Sequence, residues 1–379
     1  MDSMDKIIRV LVVDDSAVAR AFLTKGLAAF PNIEVVGYAI NAMDADKKIK
    51  ALKPDVLTLD VEMPGMNGIE FLKQLLPTNP IPAILVSSLN LRVFDALAAG
   101  AIDFVRKPDS VDKQKAFLTS LAKKIAVASC AKVHQPVGMP SNPTASSSTP
   151  RFTHPSPSSP TVSSPRFTHP PQPAVATPTL STAGCRDLDH IIIGLGASTG
   201  GTEATLEVLK RLPADIPGMV IVQHMPTGFT KMYADRLNRI CAMEVREAAD
   251  GDEIHRGLAL IAPADLQTRV VRTGNRYTVS CTPGEKVSGH RPSVDALFTS
   301  MADNVKCPMV GIIMTGMGRD GATGLLKMRE NGAYTIGQDK ESCVVYGMPM
   351  VAYEIGAVMT QTSCENIANV LMNHLKTRK

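Results

Sequence analysis

A chain of 379 residues is long for one domain and suits two domains plus a connection. Hydrophobic residues make up 44%, enough for proper cores, and a formal charge of +4 leaves no footprint for nucleic acid or an anionic membrane. The seven cysteines are scattered, odd in number and never in C-x-x-C spacing, which argues against a disulfide framework or a zinc cage and fits a reducing cytosol. With no basic n-region at the start and no run near ~20 apolar residues, the expectation is a soluble, cytoplasmic chain without membrane insertion.

Along the first third, short apolar runs at Val10–Val13, Ile33–Tyr38, Val56–Leu59, Ala83–Val86 and Ile102–Val105 alternate with helical patterns. The helices are expected at Ala17–Ala29, Ala42–Leu52, Gly68–Leu76, Val93–Ala99 and Lys113 to about Val127. Short strands buried on both faces and separated by helices imply a parallel sheet covered on each side. From about His134 to Ala183 the chain is Pro, Ser, Thr, Ala and Val, with Arg151 and Arg166 as its only charges. Such a stretch buries too little apolar surface to offset its ordering entropy and reads as a disordered linker. Pro-Arg-Phe-Thr-His-Pro occurs in it twice, at 150–155 and 165–170, and carries no recognisable chemistry.

The alternation resumes with strand His190–Leu195, helix Thr202–Leu212, strand Met219–Gln223 and helix Thr230–Ile240. A patch of short strands over Val245–Ser280, expected to be irregular and antiparallel, precedes helix Val294–Ala302, strand Val310–Met314 and helix Ala322–Asn331.

In an open parallel sheet, function gathers at the carboxyl ends of the strands. In the first body those ends carry Asp14 and Asp15, Asp60, Ser87 and Lys107. Three converging carboxylates repel one another, and a hard cation such as Mg²⁺ relieves that repulsion through oxygen ligands. A hydroxyl and an ammonium facing an aspartate are what the oxygens of an aspartyl phosphate require.

In the second body, Gly196-Ala197-Ser198-Thr199-Gly200 between strand and helix has the spacing of a nucleophile elbow. The same glycines could cradle a dinucleotide phosphate, but the next strand ends in His224 and offers no acid for a ribose. A serine nucleophile needs a base and an orienting acid. His224 and Asp320 both lie at or just beyond strand ends, with His290 and Asp295 as the rival pair. The rivals read equally well as a helix entry capped by Ser293.

With these motifs together, the chain resembles the CheB-type chemotaxis methylesterases. Asp14-Asp15, the 59–68 string around Asp60, Ser87 and Lys107-Pro108 are similar to a response-regulator receiver. Gly-Ala-Ser-Thr-Gly-Gly, Gln-His-Met-Pro, His-Arg-Pro-Ser-Val-Asp, Thr-Gly-Met-Gly-x-Asp-Gly and Ser-Cys-Val-Val-Tyr-Gly-Met-Pro are similar to the catalytic domain. The resemblance implies an α/β protein with two doubly wound parallel-sheet domains, a flavodoxin-like receiver (1–126) and a Rossmann-like serine hydrolase (188–379), joined by the linker (127–187). It implies Asp60 as phosphoacceptor, and Asp14, Asp15, Asp60 and the Glu62 carbonyl as Mg²⁺ ligands. Ser87 becomes the switch hydroxyl and Lys107 the phosphoryl-pairing lysine; the place of Phe104 on the fifth strand is left open. It further implies Ser198, His224 and Asp320 as the triad, Met317 as an oxyanion donor, and no cofactor for hydrolysis. The expected substrates are glutamate γ-methyl esters and certain glutamines of chemoreceptors, the phosphodonor a chemotaxis histidine kinase, and the working form a monomer. Rival readings are a DNA-binding response regulator and a nucleotide-dependent oxidoreductase.

Overall fold

A computed structural model of the chain describes residues 6–87, 92–133, 180–185 and 187–377. Most of the expected linker, with both Pro-Arg-Phe-Thr-His-Pro copies, lies outside the described residues.

The first body is β1 (Ile8–Val13), α1 (Ala17–Leu27), β2 (Ile33–Ala39), α2 (Ala42–Leu52), β3 (Val56–Leu59), α3 (Gly68–Leu75), β4 (Ala83–Ser87), α4 (Arg92–Ala98), β5 (Asp103–Arg106) and α5 (Gln114–Ala128). Its sheet is parallel, in the order β2-β1-β3-β4-β5. Helix starts follow from side-chain caps: Asn41 accepts from the Asp44 N–H, and Asn67 from those of Ile69 and Glu70. Every residue of β3 and β4 is buried, which is why these strands read as unbroken apolar runs. The order places the carboxyl ends of β1, β3, β4 and β5 along one edge.

The second body contains β6 (Ile192–Ala197), α6 (Gly201–Leu209), β7 (Gly218–Gln223), α7 (Phe229–Ile240), β8 (Glu244–Glu247), β9 (Leu258–Ile261), β10 (Gln267–Thr273), β11 (Arg276–Thr282) and α8 (Val294–Asn304). It continues with β12 (Met309–Ile313), α9 (Ala322–Glu330), β13 (Tyr334–Gln338), α10 (Met348–Glu354), β14 (Thr360–Thr362) and α11 (Ile367–Thr377). Seven strands form one sheet in the order β14-β13-β12-β6-β7-β9-β8, all paired in parallel.

The antiparallel middle portion is therefore smaller than the sequence suggested. Only β10 and β11 form an antiparallel hairpin, while β8 and β9 extend the main sheet in parallel. All four residues of β9 are buried, as a strand covered on both faces requires, and the connection 248–257 is long enough to cross over without a helix. Composition alone cannot distinguish such a crossover from a hairpin turn.

The two bodies pack against each other. One apolar cluster runs from Phe94 and Phe104 of the first into Phe229 and Tyr233 of the second, with Phe104 and Phe229 ring centres 4.5 Å apart and Phe94 and Tyr233 5.7 Å apart. Phe104, on β5, is thus an interdomain contact. Lys132, beyond α5, donates its backbone N–H to the Val344 carbonyl at 3.1 Å, and the Val344 side chain packs on the core of the first body.

Candidate active site and phosphorylation site

At the carboxyl edge of the first sheet, carboxylate oxygens of Asp14, Asp15 and Asp60 all lie within 4.8 Å of one another. Lys107 reaches in from the end of β5 and donates to Asp60 Oδ2 at 2.7 Å and to Asp14 Oδ2 at 3.1 Å. Ser87 is buried at the end of β4, and the Glu62 N–H donates to Asp60 Oδ1 at 3.2 Å. Burial raises the pKa of Asp60 above the ordinary 3.8; the Lys107 bond and charge oppose the rise, and repulsion from Asp14 adds to it. Burial works against the charge on Lys107, but Asp60 and Asp14 outweigh it and hold its pKa above 10.5. Asp14, Asp15, Asp60 and Lys107 therefore converge, the Glu62 backbone N–H joins them, and Ser87 lies at the end of the neighbouring strand β4.

In the second body, β6 ends at Ala197 and Ser198 begins the turn into α6. The turn needs its glycines for separate reasons. Gly200 sits at φ +79°, and a Cβ at Gly196 would lie 2.1 Å from Val294 Cγ1 of α8. The loop after β12 packs on the serine: Ser198 donates its N–H to the Thr315 carbonyl at 3.0 Å, and a Cβ at Gly316 would lie 2.7 Å from that of Ser198. The backbone N–H groups of Thr199 and Met317, on either side of this contact, donate to no group among the described residues. Unpaired N–H groups beside a nucleophile turn are the kind of donor that the oxyanion expectation for Met317 requires.

His224 follows β7 directly, and its N–H donates to the Ala197 carbonyl at 3.2 Å, which ties it to the strand that carries the nucleophile. Its Nε2 lies 2.9 Å from Asp320 Oδ2. Nδ1 is buried and has no hydrogen-bond partner among the described residues. The structure thus joins two of the three expected triad members, His224 and Asp320, and leaves the second ring nitrogen of His224 unpaired.

Asp320 is the most fully satisfied group of the site. Besides His224 it accepts from the Ser293 hydroxyl at 2.7 Å and from the N–H groups of Val294 at 2.8 Å and Asp295 at 3.0 Å. These donors are the first turn of α8, where Ser293 also caps the helix by accepting from the Ala296 N–H at 3.2 Å. Burial works to raise the Asp320 pKa, but the His224 bond and charge and the α8 donors outweigh it and hold it below 3.8.

The rival residues occupy other places. Asp295 accepts from the Gly324 N–H at 2.7 Å and the Ser288 hydroxyl at 2.6 Å, and so fastens α8 to α9. The ring of His290 stacks on that of His224. Sequence reading missed both the α8 donors and a contact between the bodies. In that contact Thr199, next to Ser198, donates its hydroxyl to Asp103 Oδ2 on β5 at 2.9 Å, and Lys124 of α5 pairs with the same oxygen at 2.6 Å. Ser293-Val294-Asp295 at an expected helix start was the one available signal for the donors. No local pattern announces the Thr199–Asp103 bond.

A serine on a strand-to-helix turn beside an oriented histidine and a buried carboxylate, fused to a sheet with an acidic cluster, defines a two-domain serine hydrolase. Residues 193–371 match the CheB methylesterase model and residues 10–118 the response regulator receiver domain. The protein-glutamate methylesterase/protein-glutamine glutaminase 2 of Syntrophomonas wolfei is 45% identical over 366 residues, 96% of each chain. The protein-glutamate methylesterase/protein-glutamine glutaminase of Syntrophotalea carbinolica is 45% identical over 383 residues, 99% of this chain and 100% of its own. The chain belongs to the CheB methylesterase family, with a response-regulator receiver ahead of its catalytic domain. Neither the DNA-binding nor the oxidoreductase reading finds support. Among the described residues, no helix is long and apolar enough to cross a membrane.

Proposed function

We propose that this chain is a cytoplasmic, monomeric adaptation enzyme that hydrolyses glutamate γ-methyl esters on chemoreceptors and deamidates certain receptor glutamines. Its activity is switched by phosphorylation of Asp60, with a chemotaxis histidine kinase as donor. The parts are a receiver (1–126), a linker (127–187) and a catalytic domain (188–379).

The observation that carries this reading is the set of bonds around Asp320, which orients His224 beside the Ser198 turn. Ser198 Oγ attacks the ester carbonyl while His224 takes its proton. Because Asp320 holds Nε2, that proton goes to Nδ1. Asp320 fixes the tautomer and stabilises the imidazolium. The Met317 and Thr199 N–H groups receive the oxyanion. The imidazolium passes its proton to the departing methoxide, and methanol leaves. Water, deprotonated by the same histidine, then cleaves the glutamyl ester on Ser198. With a glutamine substrate, ammonia leaves in the first step.

In the receiver, the oxygen donors of Asp14, Asp15 and Asp60, with the Glu62 carbonyl, suit a hard divalent cation, and the raised pKa of Asp60 is that of a site short of positive charge. Mg²⁺ bound there would offset the carboxylate repulsion and the charge of the incoming phosphoryl group. Lys107 would then pair with a phosphoryl oxygen, and the Ser87 hydroxyl would donate to another. The Thr199–Asp103 bond and the aromatic packing at the interface support a closed state in which the receiver covers the nucleophile turn. Phosphorylation can open it only by favouring the open arrangement over the closed one.

The test is methanol release from methylated receptor by the full chain, with and without a small phosphodonor. The expected result is a low basal rate, a several-fold rise on phosphorylation, and no release by Ser198→Ala.

A further inference from the structure

His290 lies outside the three catalytic roles, yet it makes the closest ring contact in the site. Its imidazole sits 3.9 Å from that of His224, centre to centre, with the planes 8° apart. The residue is held by its backbone on several sides. It exchanges hydrogen bonds with Val287 at 2.9 and 3.1 Å, and its carbonyl accepts from Gln267 Nε2 at 3.0 Å. Gln267 is fully buried, and its Oε1 accepts the N–H of Ser293 at 3.0 Å. One amide side chain therefore anchors both His290 and the residue that holds Asp320.

His224 needs such support. Among the described residues its one side-chain hydrogen bond is to Asp320, and one bond fixes a single edge of the ring while leaving rotation about that contact. We propose that His290 is a positioning residue for the base, its ring lying flat on His224 and fixing the plane from which Nδ1 reaches Ser198. The inference rests on the assignment of His224 as base. Burial, together with the neighbouring His224, pushes the His290 pKa down to about 4, with Asp320 opposing. His290 is thus neutral when the enzyme turns over. A neutral ring does not repel the imidazolium that forms in the transition state, and it presents a π face to that cation.

The test uses the full chain, phosphorylated with a small phosphodonor, and two readouts: kcat and KM on methylated receptor, and the rate of Ser198 labelling by a fluorophosphonate. His290→Phe keeps the flat ring, His290→Leu keeps bulk without it, and His290→Ala removes both. Thermal unfolding of each variant confirms that rates refer to folded protein. Expected is a loss of about 10-fold in kcat and labelling rate for Leu and Ala, the scale of a desolvated cation–π contact, with KM within about 2-fold and Phe within about 3-fold of the parent. Leu as active as Phe would reduce His290 to packing. Phe as impaired as Ala would make the ring nitrogen itself necessary, and the positioning role would be wrong. Ser198→Ala and His224→Ala run alongside: if either stayed active, the catalytic assignment would fail, whereas if both were dead and all His290 variants normal, only the inference would.

Discussion

Asp60 and Asp320 are both aspartates on loops that leave the carboxyl end of a parallel strand, 6% and 1% exposed, yet their acidities move in opposite directions. Burial disfavours the anion in both. Around Asp320 the protein supplies a histidine, a hydroxyl and two helix N–H groups. Around Asp60 it supplies one lysine, shared with Asp14, and crowds the site with like charge. The Asp320 site has its charge balanced in advance; the Asp60 site is left unbalanced, as the proposed response to a cation and a phosphoryl group requires. Preorganisation suits catalysis and imbalance suits a switch.

Breaking the balanced side should have the largest effect. Asp320→Asn leaves the α8 donors facing an amide and favours the wrong tautomer of His224; kcat on methylated receptor should fall roughly 10³- to 10⁴-fold with the fold retained. The unbalanced side should break differently. Chelation of Mg²⁺ should abolish incorporation of phosphate at Asp60, measured with an acyl phosphate, and remove the several-fold activation while leaving basal methanol release unchanged. A smaller effect is expected at the contact between the two sides. Asp103→Ala removes the Thr199 and Lys124 bonds and should raise the basal rate a few-fold, detectable as fluorophosphonate labelling without phosphodonor. Finally, carboxyl NMR titration should sharpen the comparison itself. Without metal, Asp60 should titrate above pH 3.8 and Asp320 below it, and added Mg²⁺ should move only Asp60, downward. The sign has a consequence for stability. The depressed pKa of Asp320 contributes stability present above about pH 3.8 and lost as pH falls through its folded value.

Much of this was legible in sequence, for identifiable reasons. Helix α2 spans Ala42–Leu52 as expected, because Asn41 caps it and its apolar positions recur at helical spacing. Asp14, Asp60, Ser198 and His224 were findable because parallel sheets gather chemistry at strand ends, so each needs only its strand to be recognised. Asp320 lay further from its strand and competed with Asp295. What separates the two is which carboxylate receives the first turn of α8, and that depends on how α8 crosses the sheet. The elements after Asn331, namely β13, α10, β14 and α11, went unread in a stretch without strong periodicity. The Thr199–Asp103 bond and the His224–His290 stack join residues 96 and 66 positions apart by number, so they exist only once the bodies dock and the loop before α8 folds back.

Val294 touches two parts of the site at once. Its backbone N–H holds Asp320, while its side chain occupies the space left by the missing Cβ of Gly196, two residues before the nucleophile. One residue thus gauges the gap between the strand bearing Ser198 and the loop bearing Asp320 from both sides, like a feeler gauge held between two plates. One methyl group added at position 196, or one lost from position 294, would change that gap, and the reach from serine to base and from base to acid would change together.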